Sequence, residues 1–149
     1  PDAKDQLVWK WTKGQATALT DFGNPVGNAT AYKLCIYSGT TLLLESVAPP
    51  CGDLGCWRAQ STNGFKYARK DGTPEGVTQI TLVAGNTGKA KAKVKAKGSR
   101  LSGRPFGLPA PPVTFPLRAQ LQASNGSCWE ATYVAPISNA AGHLKAESQ

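Results

Sequence analysis

The sequence predicts an all-β protein: two antiparallel sheets packed face to face and held by disulfides. Three observations carry this. Short runs alternate apolar and polar residues with period two. Gly, Pro, Asn and Ser interrupt them at close intervals. Helical periodicity is nearly absent. At 149 residues the chain is long enough to bury one core of its own.

The elements follow in order. LVWKWTK sets Leu7, Trp9 and Trp11 on one face. TAYKLCIYS groups Tyr32, Leu34 and Ile36, and a Ser-Gly turn leads into TLLLESVA. CWRAQS and GFKYARK flank Asn63-Gly64, a dipeptide suited to the dihedrals of a tight hairpin. GVTQITLVA and KAKAKVKAK flank Gly85-Asn86-Thr87-Gly88 and read as a second hairpin. PVTFPLRAQLQA puts Val113, Phe115, Leu117, Ala119, Leu121 and Ala123 on one side, with Thr114, Arg118, Gln120 and Gln122 on the other. Asn125-Gly126 then turns into SCWEATYVA. About nine or ten strands suit a sandwich of immunoglobulin-like or jelly-roll-like layout. The Pro-rich SGRPFGLPAPP reads as a surface crossover, and Pro116 marks an open sheet edge. Residues 14–149 are expected to form a single domain, preceded by an N-terminal strand over residues 1–13.

The stretch Gly88–Arg100 holds six of the seventeen basic residues of a chain whose formal net charge is +8. Lys89, Lys91, Lys93, Lys95 and Lys97 alternate with Ala90, Ala92, Val94 and Ala96. An extended strand sends these two sets to opposite faces, whereas a disordered basic arm has no need of the alternation. A lysine face serves solubility and edge protection, or it binds polyanions. No aromatics interleave with the lysines, so single-stranded nucleic acid is not the expected partner.

Cys35, Cys51, Cys56 and Cys128 allow three pairings. Disulfides are expected over zinc, because two of the four lie far apart in strand-like runs and a single histidine is available. That implies an oxidising compartment and export. Placing Cys35 opposite Cys128 in an antiparallel pair sets Lys33 against Glu130 and Tyr37 against Gly126, a better match than Cys56 opposite Cys128. The expected bonds are therefore Cys35–Cys128 and Cys51–Cys56. The first would close a loop worth roughly 4–5 kcal/mol in chain entropy.

Chemistry is sparse. His143 is the only histidine and is placed in a polar tail, which leaves little for a nucleophile–base pair or a histidine-rich metal site. Asp21, Asp53 and Asp71 fall in loops where turn chemistry explains them. DGTPEG lacks the oxygen density of a calcium loop, and no phosphate-binding glycine loop is present. Trp57 and Trp129 each follow a cysteine and are assigned to the core; exposed, they would instead make a sugar-stacking platform. Asn28 in NAT and Asn125 in NGS match the glycosylation sequon. No enzyme activity, catalytic residue, metal or cofactor is expected. The absence of Met suggests a processed chain, and no long apolar run suggests a membrane span.

The segments YKLCIYS, CGDLGCW, GFKYARKDGTPEGV, GKAKAKVKAKG and SCWEATY together resemble an uncharacterised β-rich domain of proteins secreted by environmental bacteria, over roughly residues 29–136. The resemblance implies export and a β fold, and no activity. In layout the chain also resembles donor-strand pilus subunits. Two functions follow as expectations. The run Leu7, Trp9 and Trp11 reads as a first strand packed in its own domain or as one donated to a neighbour; in the first function it inserts into a neighbour's groove, and the chain polymerises into an extracellular filament. In the second, a secreted monomer binds polyanions or glycans through its lysine face.

Overall fold

A computed structural model describes residues 6–101, 114–140 and 143–146. The chain is all-β and sandwich-like, as the alternation predicts. Its strands are β1 (Gln6–Trp11), β2 (Tyr32–Ser38), β3 (Thr41–Ala48), β4 (Trp57–Gln60), β5 (Gly64–Ala68), β6 (Val77–Val83), β7 (Lys91–Lys97), β8 (Leu117–Ala123), β9 (Cys128–Tyr133), β10 (Pro136–Ala140) and β11 (His143–Ala146). One antiparallel sheet runs in the order β1-β7-β6-β5-β4, a second in the order β3-β2-β8-β9, and β10 and β11 pair as a hairpin. His143 thus opens a strand instead of lying in a tail.

The inward set of each strand builds the core. Leu34, Leu44, Tyr67, Ile80, Leu82, Val94, Leu121 and Trp129 are all buried. A run of aromatic rings links the two layers: Tyr67 to Trp57 at 5.2 Å, Trp57 to Tyr32 at 5.2 Å, Tyr32 to Trp129 at 6.5 Å, and Trp129 to Phe22 at 5.2 Å. Offset aromatic contacts at these spacings add about 0.5–1.5 kcal/mol per pair beyond burial. Both layers mix bulky and small inward side chains, and β7 offers only Ala92, Val94 and Ala96. The Tyr32 hydroxyl donates to the Phe22 carbonyl oxygen and so anchors the 3-10 turn Leu19–Phe22. Trp57 and Trp129 sit in this core, as expected from their place beside cysteines.

Four features bear on the sequence expectations. First, Cys51–Cys56 is bonded, while Cys35 and Cys128 are free thiols. β8 lies between their strands: Cys35 faces Gln120, and Cys128 faces Gln122. Two strand spacings come to about 9.6 Å, beyond the Cα separation a disulfide can bridge. Second, β1 completes its own sheet. It pairs with β7 from Gln6↔Lys97 to Trp11↔Ala92, and Trp9 is 3% exposed in the chain's own core. Leu7 and Trp11 pack against the same core. Third, Pro116 precedes β8, which is an interior strand, so this proline marks a strand start and not an edge. Fourth, the β4–β5 hairpin pairs Gln60 with Gly64, so its loop spans 61–63 and Gly64 already belongs to the ladder. A Cβ at Gly64 would lie 2.3 Å from the Leu82 carbonyl oxygen, which explains the glycine there. Val113 and the whole of the Pro-rich crossover SGRPFGLPAPP lie outside the described residues.

Candidate functional site

The outer face of the five-stranded sheet is assembled by register. Lys10 on β1 lies opposite Lys93 on β7. Lys93 lies opposite Thr81 on β6, Thr81 opposite Lys66 on β5, and Lys66 opposite Arg58 on β4. These residues form one transverse row of four cations, with a single threonine in the middle. Four strand spacings make it about 19 Å long. Along β7, Lys91, Lys93, Lys95 and Lys97 form a second row of similar length, crossing the first at Lys93. Their alternates Ala92, Val94 and Ala96 are buried.

Among the described residues, the five strands of this face carry no counter-charge. QLVWKW, WRAQ, GFKYA, VTQITLV and KAKVKAK contain no carboxylate. The neutral positions of the face are Gln6, Val8, Gln60, Gly64, Ala68, Gln79, Thr81 and Val83, none of them aromatic. The electrostatics register the crowding. The neighbouring Lys95 ammonium, partial loss of water contact and the Lys10 ammonium hold the Lys93 amine below its ordinary value. Lys89, grouped with this face by the alternation, sits in the turn before β7, where its N–H donates to the Asn86 carbonyl. Lys10, Lys66 and Arg58 are the members that the linear alternation did not reveal. Each is a lone cation at an outward position of its own strand.

The opposite face has another character. Lys33 lies 4.0 Å from Glu45, Gln120 donates to Glu130, and the Arg118 guanidinium lies 4.9 Å over the Tyr37 ring. There the charges are mixed and satisfied internally. Both free thiols belong to this face. Burial pushes the Cys35 thiol above its ordinary value, and burial followed by the Glu130 carboxylate does the same for Cys128. Neither is an activated thiolate.

An open cleft of about 730 Å³ lies between the segment Trp11–Thr17 and the edge strand β9. Several of its polar groups are committed within the chain. Asp21 accepts from the Ala18 N–H at 2.8 Å, the Trp129 indole N–H donates to the Thr17 hydroxyl, and Glu130 takes Gln120. Asp71, in the DGTPEG turn, accepts from the Thr73 N–H and hydroxyl and from Arg69, and the Thr73 bonds hold its carboxyl below the usual range. Glu75 accepts from the Val47 N–H across to β3 at 2.7 Å. Among the described residues, no group of three or more His, Cys, Asp or Glu converges to hold a metal.

Of the two sequon asparagines, Asn28 is exposed and accepts from the Gly52 N–H, and Asn125 ties the β8–β9 turn to the Asp21 carbonyl at 3.1 Å. Comparison with protein families, with curated proteins and with solved structures finds no match. The reading of function therefore rests on the basic face itself.

Proposed function

We propose that this chain is a non-catalytic, exported binding module that holds an acidic polysaccharide on the outer face of its five-stranded sheet. The observation that supports it is the transverse row Lys10–Lys93–Lys66–Arg58 crossing the lysine row of β7, on five strands that contain no carboxylate. Edge protection does not account for the lysines of β7, because β7 lies between β1 and β6. Solubility does not account for their placement, since it needs net charge and not like charges set directly opposite one another, an arrangement that costs sheet stability. An external anion reverses that cost.

The chemistry of the face favours a polysaccharide over other polyanions. Its described positions lack aromatic rings, so it offers nucleic-acid bases no stacking platform. Val8 is its one strongly exposed aliphatic member, too little for insertion into a bilayer surface. Lysine dominates, and lysine acts as a mobile point charge, reading charge density more than the shape of one anionic group. The filament reading draws less support. It requires β1 to leave a sheet in which Trp9 is already buried.

Titration with dextran sulfate, with neutral dextran as control, tests the proposal. A linear polyanion along either row meets four cations. With a coefficient of about 0.7 per contact, affinity then falls about fiftyfold between roughly 50 and 200 mM salt. Replacing Lys93, which serves both rows, with Gln lowers the salt slope by about 0.7. Equal weakening by K33Q on the opposite face, or equal binding of neutral dextran, would refute the assignment. Stronger binding to anionic lipid vesicles than to the polymer would move the partner to a membrane surface.

A further inference from the structure

The basic face straddles a seam. Lys10 belongs to the N-terminal edge strand, and Lys93, Lys95 and Lys97 belong to the strand that holds it. On the inward side β1 is fixed by Trp9, with Leu7 and Trp11 only partly covered. On the outward side its middle is flanked by cations, with Lys10 opposite Lys93 and Val8 opposite Lys95. Like charges directly opposite oppose strand pairing. The lowered Lys93 amine agrees with this geometry. Beyond Trp11 the chain leaves the ladder, and Lys13 adopts a positive φ of 54°.

Building on the polysaccharide reading, we infer that occupancy of the basic face governs how tightly the N-terminal strand is docked. A polyanion that touches Lys10 and Lys93 together bridges the seam and clamps β1 onto β7. Without it, β1 opens more often than the other strands of its sheet, taking Lys10 out of the site. The coupling is reciprocal: whatever favours the docked strand tightens polymer binding by the same factor.

Hydrogen exchange on the full chain, read at the amides of residues 6–11 against those of β8, tests this in two arms. In the first, without polymer, K10Q removes the like-charge pair while leaving Trp9 in place. Exchange of β1 is expected to slow by about two- to fivefold, the ratio equivalent to one opposed cross-strand pair. In the second, saturating dextran sulfate is expected to slow β1 exchange in the wild type by at least as much, and to do so less in K10Q. Polymer that binds with no change at β1 overturns the coupling while the binding function stands. K10Q exchange that is unchanged or faster without polymer overturns the idea of a loaded seam, whatever the polymer does. Slower exchange in K10Q with no polymer binding in either protein overturns the coupling through the binding function on which it rests.

Discussion

Replacing Trp9 with Ala separates a docked first strand from a donated one. Trp9 is 3% exposed and packs among the core side chains of its own chain. Truncating a buried tryptophan removes its transfer free energy and leaves a cavity, together about 3–5 kcal/mol. For a chain of this size each kcal/mol moves the melting midpoint by about 2–4 °C, so W9A should melt about 10 °C or more below wild type. Val8, its neighbour on the outer face, is 51% exposed, and V8A should stay within about 0.5 kcal/mol of wild type. Thermal and chemical unfolding of the disulfide-intact monomer, both followed by circular dichroism, give the two numbers. The reasoning fails if W9A monomers unfold at the wild-type midpoint. It fails most clearly if the substitution acts only on larger species seen in sedimentation, because Trp9 would then be filling another subunit.

Further outcomes follow from other sites. Tyr32→Phe strands the buried Phe22 carbonyl without its donor, and should cost about 1–3 kcal/mol in urea unfolding. Opening the Cys51–Cys56 loop by a double Ser substitution should cost about 2 kcal/mol, the entropy of so short a loop, measured the same way. In native protein a thiol reagent should modify Cys128 and spare Cys35 until unfolding, with mass spectrometry counting one adduct and then two. The Asp71 carboxyl should titrate below 3.8 by NMR. Since its folded pKa is depressed, the turn's contribution is present above the ordinary carboxylate value and is lost as pH falls through the folded value. T73A should bring that titration back toward 3.8, and an unmoved midpoint would show that Thr73 is not its cause.

Most strand positions were legible because alternation is a local property. In LRAQLQA the buried and exposed residues of β8 simply take turns. Neighbours joined by a short turn were legible too, but which hairpins lie side by side was not, because those pairings depend on contacts far apart in sequence. Cys35 and Cys128 illustrate the difficulty. Lys33 against Glu130 is a sound ion pair, yet β8 offers Gln122 to Lys33, and Glu45 on β3 supplies the acid. The lysine face was readable along β7 for the same local reason. Its transverse extension was not, since Lys10, Lys66 and Arg58 become neighbours of Lys93 only through the order β1-β7-β6-β5-β4. Inspecting the outward positions of every predicted strand for unpaired cations would have brought these three forward.

The contrast between the two outer faces makes the molecule electrically two-sided. Set down on a carpet of fixed negative charge, it has one preferred posture: the β7 side against the carpet and the β2–β8 side up. A monolayer formed this way would hide its lysines and show the surroundings a nearly neutral skin bearing Tyr37, Arg118 and the exposed sulfur of Cys128. Anything that attaches to such a coated surface would meet that skin and not the charge that organised it.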